Sequence, residues 1–507
     1  MVLLDNNKTV TSRESPFRFG RNRLLRSPYA LLLLFFTVSR LIYFLLGVRF
    51  DAGGVKWFFQ FLDPELLRHR LFESLLYLHM QPPGYNLFTG ILLKLFPDAY
   101  PAAFHVVHLA FGAVLVCLLF FLMRVLGIGA RVALTVTALF VISPGVVLFE
   151  NFILYEYQML FFLTLSAALL FDFFAHGRVA SATGFLLCQV WLVMVRNQFH
   201  LVYFIAIFFL LLYFTSRHDR RIIASVGSIF LAVILSIYIK NQILFGQFVS
   251  STYLGMNISA LTTHQLTTEE KAALVSMGAI SRASAETCIG SPLSSYYPYI
   301  TMPPRTSIPA LDQEVKASGA VNLNHRGFLE VQKIYTKDAL YVLRNYPVAY
   351  LRGIAISWFT YFLPAGDLRD VEKNRQHIEG IERFFDIVFC GQFKYSQDKK
   401  VLRQLKSRGS GASLVLYTGV FQIIAFPAFF IFGAWFLYRG IRRKTLGAPQ
   451  ALMLGFLLFN ILYVTAVSNF FGCFENNRYR FPLDGFYIVL AALAIDQVLR
   501  AMVVRRA

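Results

Sequence analysis

The chain has 507 residues, 57% hydrophobic and only 15% charged, with a mean hydropathy of +0.56. Soluble domains carry about a quarter charged residues, and 53 phenylalanines are more than a water-exposed surface accommodates, so a soluble globular protein is excluded. The net charge of +20 does not point to nucleic acid as a partner. Its basic residues cluster in tails and short turns between apolar runs (18–26, 217–221, 439–444), the distribution that the positive-inside rule produces.

Taken in order, the basic tail 1–28 is expected on the cytoplasmic side. The first apolar run, 29–48, is close to the ~20 residues that cross a bilayer and delivers Asp51 to the opposite face. Residues 51–83 mix acids and bases (Asp63, Glu65, Arg68, Arg70, Glu73) with leucine and aromatics, as a segment lying in the interface does. Residues 84–96 are apolar but short and read as a juxtamembrane helix. Runs 102–123, 131–149, 155–174, 180–195, 199–214 and 222–239 follow, leaving outer loops 49–101 and 150–156.

Lys240 then opens an outer loop of roughly a hundred residues, rich in Ser, Thr, Pro and Gly; a connector this long implies function or a fold of its own. The region 240–413 is expected to be a small extracytoplasmic subdomain. Within it, 348–363 reads as re-entrant or interfacial, because counting it as a span would put the basic 439–444 turn outside. Runs 414–437, 451–467 and 486–499 close an all-α bundle of about ten crossings with both termini inside.

Cys117, Cys188, Cys288, Cys390 and Cys473 are too scattered for a disulfide framework or a zinc site. The first two sit in apolar runs as packing residues, and a bridge among the other three stays open. No spacing marks a metal cluster, and neither metal nor cofactor is expected.

The chemistry-bearing candidates sit at outer ends of runs. Asp51 follows the first, and Glu156 starts the fourth, with Glu150 its rival. An acid beside hydrocarbon is costly unless paired or in a wet cavity, and desolvation suits it to general-base work. His79 and Gln81 precede Pro82-Pro83-Gly84, a stiff entry into a helix start where anions are favoured. Arg196-Asn197-Gln198 breaks a pair of runs, Lys240 heads Lys-Asn-Gln-Ile-Leu-Phe-Gly, and residues 475–482 read Glu-Asn-Asn-Arg-Tyr-Arg-Phe-Pro. Arginine holds phosphate through paired hydrogen bonds, which makes Arg196, Arg478 and Arg480 candidates. The plain alternative for each is an arginine snorkelling to the interface. Arg40, inside the first run, is expected to meet a polar partner within the bundle.

This order of features resembles the GT-C membrane glycosyltransferases, in particular the branch of protein O-mannosyltransferases and aminoarabinose transferases. The resemblance covers roughly the first 250 residues and, more weakly, the carboxyl end. It implies Asp51 as catalytic carboxylate, Glu156 as the second-loop acid, and a donor-phosphate site drawn from His79, Gln81, Arg196, Lys240, Arg478 and Arg480. Ala52 stands where many members carry a second acid, and Gln81 where many carry Lys or His.

The implied activity is transfer of a sugar from a polyprenyl-phosphate donor to an acceptor hydroxyl of an envelope glycan, lipid or protein. It would invert the anomeric centre on the outer face of the cell's inner membrane. The rival classes are a transporter or lipid flippase, a polysaccharide polymerase or ligase of another fold, and a noncatalytic scaffold. Two homologous halves would favour a transporter, and none is visible.

Overall fold

A computed structural model describes residues 27–286, 290–393, 418–472 and 474–506. The basic tail up to residue 26, Cys288, Cys473 and the start of the 414–437 run lie outside the described residues. Among the described residues each apolar run is helical over most of its length. The helices used below are α1 (Pro28–Leu45), α2 (Gly84–Leu95), α3 (Tyr100–Val125), α4 (Ala130–Val141), α5 (Pro144–Glu150), α6 (Glu156–His176), α7 (Val179–Val195) and α8 (Leu201–Phe214). They continue with α9 (Arg217–Phe245), α10 (Leu254–Leu261), α11 (Gly327–Asn345), α12 (Pro347–Tyr361), α13 (Val420–Arg442), α14 (Ala448–Phe471), α15 (Asn476–Arg480) and α16 (Asp484–Arg506).

Among the described residues, α1, α3, α6, α9, α13, α14 and the run Asn476–Val503 are long and apolar enough to cross a membrane. That makes seven, or eight if α4 and α5 form one span bent by 55°. Pro144 causes the bend, since it brings no N–H and disfavours helix in the residue before it. At 17 and 14 residues, α7 and α8 are shorter than the ~20 residues a full crossing takes. The protein is an all-α, multi-pass membrane protein. Its outward faces are apolar, with Leu34 and Leu41 on α1, Ile229 and Ile243 on α9, and Ile424 and Ile431 on α13 exposed.

Local signals set the helix ends. Ser27 caps α1, accepting from Tyr29 N–H, with Pro28 in the first turn, where its missing donor costs nothing. Gly177 and Gly246 close α6 and α9 with φ of 68° and 69°, a left-handed conformation that glycine adopts freely. The basic turns share one end of the bundle: Gly129 N–H binds Asp496 at 2.9 Å and Arg500 binds the Gly127 carbonyl at 2.6 Å. At the other end α6 begins, α7 ends and α8 begins around one central contact region with α14 and α15.

The segment after α9 has small apolar cores of its own, one around Met256, Tyr296, Phe328 and Tyr335, another around Leu266, Leu274 and Val342. It is clamped to the outer loop by Lys316 Nζ on the Phe58 carbonyl (2.7 Å) and Asp63 on Ala317 N–H (2.6 Å). Most of 348–363 lies in α12, which packs on α10, α11, α14 and α15. Its Ser357 hydroxyl donates to the Gly472 carbonyl at 2.8 Å.

Two close approaches matter later. A Cβ on Gly84 would stand 2.7 Å from the Met194 carbonyl oxygen, so α2 starts in tight contact with the end of α7. Farther along, the helix Glu379–Phe385 runs into a wide turn, Asp386–Cys390. It exposes Phe384 and Val388 while burying Glu382 and Asp386 against Arg375.

Candidate active site

Residues from seven chain segments line a cavity of about 360 Å³ at the end away from the basic turns. That volume is within the ~300–1,000 Å³ of small-molecule sites. The wall mixes amides (Gln60, Gln81, Asn197, Gln198), aromatics (Tyr155, Tyr253, Tyr479) and two guanidinium groups, Arg196 and Arg478.

Glu156 organises the two cations. It is the first residue of α6 and is fully buried, and one of its oxygens receives both Arg196 (2.9 Å) and Arg478 (2.5 Å). Its second oxygen meets no hydrogen-bond donor among the described residues. Arg196 stands where α7 breaks into extended backbone, which frees it to reach back. Its guanidinium lies over the Tyr479 and Tyr155 rings at 4.3 and 5.0 Å, a face that attracts cations. Arg478 also binds Glu475 at 2.8 Å and the Tyr155 hydroxyl at 3.3 Å.

One carboxylate between two guanidinium groups leaves a unit of positive charge. Glu475 offsets it, but 43% of its side chain is exposed, and an exposed pair is a weak one. An incoming anion can therefore displace Glu475 from Arg478 at small cost. Asp370 stands within electrostatic reach; burial raises its carboxyl pKa, as do the negative charges of Glu475 and Glu156, against the pull of Arg478 and Arg369.

Of the residues singled out from sequence, Gln81, Arg196 and Arg478 meet in this wall, with Glu156 directly behind them. The others stand elsewhere. His79 is fully buried, its ring nitrogens on the Thr252 hydroxyl (2.9 Å) and the Asn324 carbonyl (3.0 Å). Burial pushes its pKa down to about 3, so it is neutral and packs the subdomain onto the outer loop. Lys240 gives its ammonium to the Leu78 carbonyl at 2.5 Å. Arg480, fully buried, ties the Tyr361 and Leu363 carbonyls (2.5 and 2.9 Å) to Asp484 (3.0 Å). In the structure these three make scaffold contacts and do not line the cavity that Gln81, Arg196 and Arg478 share.

Asp51 is at the same end as Glu156: its N–H binds the Asn151 carbonyl at 2.8 Å, beside the segment that leads into α6. Its carboxylate accepts from Gly53 N–H at 2.9 Å and is not part of the cavity wall. Glu150 is held by Arg40 through two bonds of 2.7 and 2.8 Å and by the Tyr157 hydroxyl at 2.6 Å, the polar partner expected for Arg40.

Compared with protein-family models, characterised proteins and solved structures, the chain matches none of them. The case for function therefore rests on the cavity. Sequence reasoning missed Glu475, Asp370 and Gln60. Glu475 opens the Glu-Asn-Asn-Arg signature and carried a usable signal; Asp370 and Gln60 lie in stretches with no distinguishing pattern. Among the described residues no three His, Cys, Asp or Glu side chains are grouped so as to hold a metal ion.

Proposed function

We propose that the chain is a GT-C-like glycosyltransferase that moves a sugar from a polyprenyl-phosphate donor to an acceptor hydroxyl on the non-cytosolic face of the inner membrane. The observation that carries the reading is the pair Arg196–Arg478, fixed on one oxygen of Glu156 in a mixed polar and aromatic wall. The opposite end of the bundle carries the basic turns, which by the positive-inside rule supports an outer-face cavity.

In the reaction, the acceptor oxygen attacks the anomeric carbon as the bond from that carbon to the phosphate oxygen breaks. The bonding electrons leave with the lipid phosphate, whose growing charge Arg196 and Arg478 stabilise. The acceptor's proton passes to a carboxylate. Glu475 lines the cavity and is the better-placed base; Glu156 positions the arginines. Asp51, the base that the family resemblance implies, stands beside the cavity instead.

A transfer assay in nanodiscs with a short prenyl-phosphate hexose tests the reading, together with mass spectrometry of envelope glycans from a strain lacking the chain. A missing sugar and loss of transfer in Arg478→Ala support it. An unaltered envelope together with no binding of prenyl phosphate would sink it.

A further inference from the structure

Gln60 and Gln198 belong to the cavity wall, and each is only 7% exposed. Each also buries a side-chain oxygen that no donor among the described residues reaches. The other end of the Gln198 amide is fixed, donating to the Ser468 hydroxyl at 3.0 Å, and Asn86 holds the backbone carbonyl of Gln60 at 3.0 Å. A buried acceptor left without a donor is destabilising, so both positions suit donors that arrive with a ligand. Next to Gln60, the Phe59 ring stacks on Tyr253 at 5.3 Å, an apolar platform for the face of a sugar ring.

Charge narrows the ligand further. Arg196 and Arg478 are committed to Glu156 and, in the proposed reaction, to phosphate. Among the described residues Glu475 is the one carboxylate in the wall, and once phosphate displaces it from Arg478 the proposed reaction engages it as the base. Among the described residues the wall thus offers no spare cation for a uronic acid and no uncommitted acid for an amino sugar.

We infer that the transferred sugar is an uncharged hexose or pentose, recognised by hydrogen bonds from its hydroxyls to the side-chain oxygens of Gln60 and Gln198. The inference rests on the lipid-phosphate donor reading above.

The test is binding to the full chain in nanodiscs of four probes: bare short-chain prenyl phosphate, and the same lipid carrying a neutral hexose, an amino sugar or a uronic acid. The unaltered protein should bind the neutral hexosyl lipid at least about tenfold more tightly than the other three. Gln60→Leu and Gln198→Leu should each lower that affinity about tenfold, and the double variant should abolish the sugar preference. Binding of the bare lipid reports whether each variant is folded, and the ranking of the four probes by the unaltered protein needs no variant. A preference for a charged sugar, or a neutral-sugar preference that survives in the double variant, overturns the inference and leaves the lipid-phosphate reading standing. No saturable binding of bare prenyl phosphate to the unaltered protein overturns both.

Discussion

Two buried glutamates six residues apart, Glu150 and Glu156, are treated in opposite ways. Glu150 meets one arginine, Arg40, with both oxygens engaged and a tyrosine hydroxyl added. Charge is balanced and both carboxylate oxygens are satisfied, although a cavity of about 380 Å³ also borders this pair. Glu156 meets two arginines through a single oxygen, next to a cavity, and the cationic surplus is met by the half-exposed Glu475, with Asp370 within electrostatic reach. The ratio of cations to acids thus separates a pair that fastens helices from one that prepares a surface for an anion. Burial alone does not, since both glutamates are fully buried.

Changes on either side sharpen this contrast. Arg478→Ala should give the largest effect, lowering transfer by about 10²–10³-fold through lost transition-state stabilisation; Glu475→Gln should follow, with prenyl-phosphate affinity retained. Initial rates and direct binding separate the two.

At the closed pair, Glu150→Ala should cost about 3–5 kcal/mol by leaving Arg40 buried and uncompensated. The double change Arg40→Met with Glu150→Leu should recover most of that. Unfolding midpoints in detergent measure both, and an unaffected Glu150→Ala would break the comparison.

A third ratio lies at Arg375, which binds Glu382 at 2.5 Å and Asp367 at 3.4 Å with Asp386 close by. Here acids outnumber the cation. Burial, then the neighbouring carboxylates, raise Asp386 from 3.8 to about 8; burial likewise raises Glu382 from 4.5 to about 7. The folded chain therefore holds more protons than the unfolded chain between pH ~4 and ~8, and stability falls as pH rises through that window. Asp386→Asn should flatten the decline, raising the thermal midpoint most at pH 8 and above and least near pH 4. A midpoint profile that keeps its slope in the variant would place the proton elsewhere.

The smallest change is expected at Asp51→Asn. It keeps an acceptor for Gly53 N–H, so stability should move by less than about 1 kcal/mol. Transfer should fall less than in Glu475→Gln. Near-total loss of transfer instead would return the role of base to Asp51.

The helices were legible because hydropathy is a local property: the runs 102–123 and 222–239 lie inside α3 and α9. The pairings were not. Glu156 finds Arg478 across 322 positions, and nothing near either residue reveals it. Arg478 and Arg480 look equivalent in the same short motif, yet one lines the cavity and the other is fully buried. Two residues along a helix turn a side chain by about 200°, enough to send one arginine toward ligand and the other into the scaffold. His79 and Gln81 also divide, in non-helical backbone, one packed on Thr252 and Asn324 and the other in the cavity wall.

The bare Cα of Gly84 acts as a shim of zero thickness. Because it rests on the Met194 carbonyl, two residues ahead of Arg196, the spacing between the proline hinge and the broken helix is set by a side chain that is absent. A single methyl group would wedge these parts open, and misalignment of about 1 Å at reacting groups can slow chemistry a hundredfold. The alignment of the guanidinium groups thus depends on a residue that carries no chemistry of its own.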